Sequence, residues 1–488
     1  MNIQDFEWAH LRLLAPEIFL VVVAAVMMSL DLTLPESRRR QLGLVTGIGM
    51  FLAMGLAVIF ALPGMDEGLI LGGMIRNDFA TFAFRMIFLF SSGVTALVSV
   101  DVEGLGRKGE YYTMLIGTTL GMIFMAAAAD LVMLYLAIET TSVGLYAMAG
   151  FLRDNDKSVE SGLKYFLFGA TTSTVMLYGF SLLFGFTGQT NLYGIAEAVS
   201  AGQVPALALI ASAVMIIVGV GFKVAIVPFH FWTPDVYEGA PTPVTAFLSV
   251  ASKSAGFAVL IRIFLTALGS TAASSISGWL PMMLAMAAVT MTVGNFLALP
   301  QRNIKRLLAY SSIAHAGYAM MGIVALTTEG IAATVFYLTA YMLTNLAAFT
   351  VVILFSRVVG SDEIADYAGL SRRSPYLALA MLIAFLSLGG MPPLAGFVSK
   401  FFVFAAAMRS DLVWLTWVAV LNSIVGLYYY LVVLKMVYVK PAPEGAGAIP
   451  VSRPYAFALG VLCAGVIVVG VAVAPWMGWA TEAARALF

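Results

Sequence analysis

Four lysines, a glutamate and two histidines stand inside apolar stretches of this chain, where an ionised side chain lacks bulk water to solvate it. Glu139 lies in LYLAIETTSVG, Lys164 opens KYFLFGATTSTVMLYGF, and Lys223 follows the glycine-rich VGVGF. Lys253 is centred in SVASKSAGF, Lys400 follows the interruption GGMPPLAG, His230 sits in VPFHFWTP and His315 in SSIAHAGY. A charge at the middle of a membrane helix costs about 2.5–3.5 kcal/mol on insertion scales, so the five unpaired would cost on the order of 10 kcal/mol. They must face a polar interior and one another. Amines and a carboxylate in such an interior can relay protons. An ion pair about 4 Å apart is worth about 4 kcal/mol at an effective dielectric of about 20, enough to decide whether a lysine holds or releases its proton. An alkali cation would instead want a cage of oxygen ligands. His230, about two helical turns beyond Lys223, could pass protons at neutral pH. Each of these residues has a blander reading as a structural ion pair, a snorkelling head or a hydrogen-bonded core group. For Arg85 and Arg262, nearer the ends of their segments, and for Lys435, that blander reading is preferred.

The elements that must position these groups are membrane spans. Of the 488 residues 61% are hydrophobic and only 11% charged, and the mean hydropathy is +0.96. Soluble chains are about a quarter charged. About twenty apolar residues cross a bilayer, which predicts fourteen spans: 13–31, 42–62, 79–99, 111–128, 130–150, 160–186, 205–236, 241–268, 277–299, 303–325, 329–358, 374–408, 411–439 and 454–480. The opening MNIQDFEWAHLR is not a basic leader, so 13–31 reads as a retained first span. Spans seven and twelve are too long for one straight helix and carry internal prolines, Pro228 and Pro234 in one, Pro392 and Pro393 in the other. Interrupted helices of this kind mark transport sites, because freed backbone groups can hold water and ions. Of the 26 Lys and Arg, sixteen flank the loops after odd-numbered spans, four the other side, and six lie within spans. The positive-inside rule then predicts odd loops in the cytoplasm and both termini outside.

Net charge is zero, which gives no sign of nucleic-acid binding, and the single cysteine, Cys463, cannot form an internal disulfide or a cysteine cluster. With three histidines, a haem or iron–sulfur site supplied by this chain alone is not expected. GLYAMAG (144–150) resembles AGYAMMG (316–322), and KYFLFGATTSTVMLYGF (164–180) pairs with VFYLTAYMLTNLAAFTV (335–351), at offsets of 172 and 171. A five-helix repeat is implied, and since five is odd the second copy must cross in the opposite sense. The expected fold is an all-α polytopic membrane protein of about fourteen helices with two inverted five-helix repeats, each containing one broken helix. Residues 1–110 form an N-terminal three-helix segment. Residues 111–268 are the first repeat, broken near 221–236, residues 277–440 the second, broken near 389–396, and 441–488 a C-terminal helix.

The stretch VGFKVAIVPFHFWTPDVYEGAPTPVTAFLSVASKSAGF resembles the signature of the antiporter-like membrane subunits of respiratory complex I, NADH:quinone oxidoreductase, and within them the N-type branch. ETTSVGLYAMAGF, QRNIKRLLAYSSIAHAGYAMMG and GGMPPLAGFVSKFFVF carry the same likeness, which covers essentially the whole chain. The resemblance implies that Glu139 matches the family's glutamate of the fifth helix and Lys223 the lysine of the broken seventh. Lys253 matches the connecting residue of the eighth helix and Lys400 the exit-side residue of the twelfth, which is glutamate in some related subunits. Lys164 looks like the additional sixth-helix lysine of the N branch. The implied activity is proton translocation driven by quinone reduction elsewhere, with FMN, iron–sulfur clusters and quinone in other subunits, and with subunits M and K and the lipid bilayer as neighbours. Relatives in some animal mitochondria lack the first three helices, so their presence fits a bacterial origin. The alternative is a subunit of a multi-subunit cation/proton antiporter or membrane-bound hydrogenase. A stand-alone solute transporter would take up substrate by itself, and a scaffold would tolerate loss of Lys223 or Glu139.

Overall fold

The computed structural model describes residues 8–64, 68–269 and 278–487. It is almost wholly helical, with one small hairpin, Leu69–Ile70 against Ile75–Arg76, between spans two and three. Among the described residues twelve helices are long and apolar enough to cross a bilayer. Gly109–Ala127 and the interrupted pair Pro375–Gly389 and Ala395–Arg409 take the places of spans four and twelve, so each of the fourteen expected crossings has its helix. The join between the two repeats, 270–277, lies outside the described residues.

The chain divides into two compact units, one of Met1–Ala225, Ala251–Met283 and Glu482–Phe488, the other of Ile226–Val250 and Leu284–Thr481. This division does not follow the repeat boundaries expected from sequence: span seven is divided at its break, and span eight, Thr242–Ala267, within its length.

Each unit contains the same local construction. In the first, Asp130 caps span five, Leu131–Ala149, by accepting from the N–H groups of Val132 and Met133. A short bridge lies beside the cap, with Leu131 N–H on the Thr190 carbonyl at 2.8 Å and Leu192 N–H on that of Ala129 at 2.9 Å. Span six, Asp156–Thr187, runs for 32 residues and stops at left-handed Gly188, φ 64°. In the second unit Asn303 caps span ten, Ile304–Val324, through Lys305 and Arg306 N–H. Ile304 N–H bonds the Asp362 carbonyl and Ile364 N–H that of Arg302, both at 2.8 Å, and span eleven, Thr328–Val359, also has 32 residues and stops at left-handed Gly360, φ 73°. Gly188 and Gly360 are 172 residues apart, the offset at which the sequence repeats. Side-chain caps satisfy orphan N–H groups and glycine admits the left-handed stop at no steric cost, so the repeat is kept where helix ends are decided.

The ends of the chain depart from expectation. The last span is Arg453–Val471, not 454–480, and a second helix, Val473–Arg485, begins after Ala472. Pro475 has no N–H to return to the Val471 carbonyl, so the helix cannot run through. Spans eight, ten and eleven are buried on nearly every side. Span one, Ala15–Thr33, instead exposes Val21, Val22 and Leu32, as a face toward lipid does.

Candidate functional site

Polar groups gather at two places, one in each unit, and both are built on an interrupted helix. In the first, Lys223 lies in the last turn of Ala206–Val224. That half-helix ends at Ala225, whose backbone is left-handed (φ 61°, ψ 44°) and whose N–H returns to the Gly221 and Phe222 carbonyls. Such geometry is uncommon for a residue with a side chain. Carbonyls at this end carry the negative pole of the helix dipole, which favours a cation. Lys223 is 5% exposed and its Nζ donates to Ser142 Oγ at 2.9 Å. Ser142 donates onward to the Ile138 carbonyl at 2.7 Å. Glu139, half-buried, stands one turn before Ser142 on span five and accepts a hydrogen bond from Ser173 of span six. The direct Lys223–Glu139 pair at about 4 Å is therefore not formed: Ser142 projects from the same face of span five and intercepts the amine.

Lys253, 3% exposed, begins the segment Lys253–Ile261 of span eight. One turn later Gly256 packs on Lys223 so closely that a Cβ there would lie 3.2 Å from Lys223 Cγ and 2.6 Å from Val224 Cγ1. The two lysines thus flank one packing seam. Beside Lys223 is a cavity of about 10 Å³, room for a single water. Its other walls, Met125, Ile138, Met176, Val220 and Val259, are apolar. Lys164 differs in setting: its side chain is 37% exposed and pairs at 2.7 Å with Glu160, one turn earlier on span six.

In the second unit Lys400 occupies the corresponding break. Pro375–Gly389 ends at left-handed Gly390, φ 83°, and the chain resumes as Ala395–Arg409. Both breaks contain a cis X–Pro bond, Val227–Pro228 and Pro392–Pro393. Lys400, 5% exposed, points its Nζ at the carbonyls freed at the end of the first half-helix, Leu388 at 3.0 Å and Gly389 at 3.4 Å, and donates to Ser423 Oγ at 2.9 Å. The amine also stands 5.1 Å above the centre of the Tyr318 ring, a cation–π contact. The His315 ring meets Tyr318 edge-on at 5.8 Å. His315 is 6% exposed, with Nδ1 2.6 Å from the Tyr337 hydroxyl and Nε2 3.3 Å from that of Tyr430, which also bonds Ser311. A second cavity of about 10 Å³ is lined by His315, Tyr337, Tyr341, Thr344, Ser387 and Leu388. Unlike the first it is polar, and Leu388 is the residue whose carbonyl holds Lys400. His230 lies in the first break, buried, its ring tilted against that of Phe231 at 4.6 Å, with no hydrogen-bond partner on Nδ1 among the described residues.

Within each unit, then, the sequence candidates cluster: Glu139, Lys223 and Lys253 in one, Lys400 and His315 in the other. The hydroxyls that bond them, Ser142, Ser173, Ser423, Tyr337 and Tyr430, were not singled out from sequence. Their only signal was a polar atom inside an apolar helix. Arg85 and Arg262 are buried ion pairs, Arg85 with Glu17 at 2.8 Å and Arg262 with Asp78 at 2.6 Å, as the blander reading expects.

The family described as NADH:quinone oxidoreductase/Mrp antiporter, TM, matches residues 128–426. A curated protein of Moorella thermoacetica, NADH-quinone oxidoreductase subunit N, is 43% identical over 486 residues, 98% of this chain and 99% of that one. A chain of respiratory complex I from Thermus thermophilus, solved with bound aureothin, superimposes with a TM-score of 0.78 at 30% identity, covering 95% of this chain and 98% of that one. A chain of the Mrp complex from Dietzia sp. shares the fold, with a TM-score of 0.81 at 20% identity over 98% of this chain and 97% of that one. Likeness of this extent, in sequence and in fold alike, means that the chain belongs to the NADH:quinone oxidoreductase/Mrp antiporter family of membrane subunits.

Proposed function

We propose that this chain is a proton-translocating membrane subunit of a bacterial NADH:quinone oxidoreductase, driven by quinone reduction in other subunits. The observation that carries it is the pair of buried amines, Lys223 and Lys400, each at the carbonyl end of a broken half-helix and each donating to a serine hydroxyl. An ammonium held by dipoles and a hydroxyl, with no carboxylate locked to it, can give up its proton without leaving a buried counter-charge behind. Glu139, Lys253, His230 and His315 extend the relay, and Lys164 with Glu160 stands at its edge. Iron–sulfur clusters are expected in other subunits, because one thiol, Cys463, cannot hold a cluster that needs several thiolates, and FMN and quinone are expected there with them. Subunits M and K are the expected neighbours, in the bacterial inner membrane, with both termini on the periplasmic side.

Lys400→Met in the reconstituted complex tests this reading. Protons moved per NADH oxidised should fall, while NADH oxidation by an artificial acceptor stays unchanged. An unaltered proton yield would sink the proposal, and a yield that requires Na⁺ would favour the cation/proton antiporter alternative. At the third lysine, Lys253→Arg should keep more coupled activity than Lys253→Ala, since arginine preserves the charge although it does not deprotonate. Equal loss in the two variants would show that proton release at Lys253 is itself required.

A further inference from the structure

Span eight carries a second buried cation, Arg262, to which the relay gives no role. The span is regular α-helix only in part: Lys253–Ile261 is set between two π-helical stretches, Leu248–Ser252 and Arg262–Ala267. A π turn takes up an extra residue, so it alters the rotation and rise of the helix beyond it, and such turns are frequent at functional sites. The segment that begins with Lys253 and lays Gly256 on the Lys223 stem is therefore not fixed by one continuous helix. Its register must be held by side chains.

Arg262 is the first residue beyond the segment, and every nitrogen of its guanidinium is engaged. Nε donates to the Ala126 carbonyl at 2.9 Å, Nη1 lies 2.6 Å from Asp78 Oδ2, and Nη2 donates to Asp78 Oδ1 at 2.6 Å and Thr81 Oγ1 at 2.9 Å. Asp78 is fully buried, caps Phe79–Ser99 through Thr81 N–H at 2.8 Å and is 3.3 Å from Arg76. The clamp thus ties the end of the Lys253 segment to the start of span three and the end of span four. A rigid guanidinium hydrogen-bonded to three separate groups fixes orientation as well as distance. Nine residues separate Arg262 from Lys253, about 13.5 Å of rise and half a turn of rotation, so the clamp touches no relay group. A one-residue slip at the π turn would swing Lys253 and Gly256 together by about 100° away from Lys223.

We propose that Arg262 is a positioning residue for Lys253, holding the height and rotation of the segment between the two π turns through its clamp on Asp78, Thr81 and Ala126. This rests on the relay reading of span eight. The test uses the complete complex carrying Arg262→Lys, Arg262→Met or Lys223→Ala. It measures the amount of assembled complex, protons per NADH, and backbone hydrogen exchange. A lysine amine keeps the charge opposite Asp78 but cannot also reach the Ala126 carbonyl in the plane of the carboxylate. Arg262→Lys should assemble at the unsubstituted level yet lose about three- to tenfold in coupled rate through misplacement, with fewer protons per NADH. Exchange within 253–261 should rise while that of 131–149 stays unchanged. Arg262→Met should lower the amount of complex as well. Unchanged proton yield and exchange in Arg262→Lys would overturn the proposal, as would a loss that merely tracks the amount of complex. Normal pumping in Lys223→Ala would instead bring down the relay reading itself, whereas lost pumping there beside normal pumping in Arg262→Lys would remove the positioning role alone.

Discussion

Lys223→Ala is expected to lower coupled quinone reduction by on the order of a hundredfold, the lower end of the scale of a lost proton-transfer group, without lowering the amount of assembled complex. The two halves of that expectation have separate causes. The chemical loss arises because Lys223 is the amine at the first break, flanked by Ser142 on one side and by the Gly256 seam of span eight on the other. The structural tolerance arises because Ser142 keeps its own bond to the Ile138 carbonyl at 2.7 Å when the lysine is removed. No buried donor is stranded, and a buried charge that costs free energy to desolvate is gone. Proton uptake or release measured with reconstituted complex, beside quantitation of the complex in the membrane, separates the two. Full coupled activity at full proton yield would refute a relay through this lysine.

Asp78→Ala should do the reverse, damaging assembly first. Asp78 is fully buried and serves three groups at once: the Arg262 guanidinium, Arg76, and the Thr81 N–H at the start of span three. Removing one partner of a buried ion pair costs about 3–5 kcal/mol, because the other charge is left uncompensated, and loss of a helix cap adds about 1 kcal/mol. Against a total stability of about 5–15 kcal/mol for a typical domain, that is enough to deplete the folded subunit. The amount of complex in membranes and its melting temperature in detergent should both fall. Asp78→Asn, which retains an acceptor for Thr81, should fall less. Unchanged assembly in Asp78→Ala would mean that Arg262 finds other partners and that the clamp is not structural.

The two substitutions divide the buried charges by setting. Lys223 is met by a hydroxyl, and Lys400 by a hydroxyl, two carbonyls and an aromatic face, with no carboxylate bonded to either amine among the described residues. Arg85 and Arg262 are met by carboxylates at 2.8 and 2.6 Å. The residue types anticipate this division, since arginine does not deprotonate in proteins and lysine can. Sequence reasoning nevertheless expected the lysines to need a carboxylate beside them. It expected the backbone groups freed at the breaks to hold water and ions; at Lys400 the Leu388 and Gly389 carbonyls bond the amine itself.

Periodicity and composition determined much of this protein without coordinates. Hydrocarbon thickness dictates the length of an apolar run and burial forbids unpaired charge, so the number of crossings, the two interrupted helices and Glu139, Lys223, Lys253, Lys400 and His315 as candidates could all be read directly. The end of the last span was misplaced because proline acts one turn before its own position. Tertiary structure alone decided the partners. Whether Lys223 meets Glu139 or Ser142, whether His315 turns to Tyr337 and Tyr430, and whether Arg262 reaches Asp78, 184 residues away, depends on which faces of separate helices are pressed together. A one-dimensional pattern specifies which face of a helix is polar. Only the packing of that face against another specifies which atom it meets.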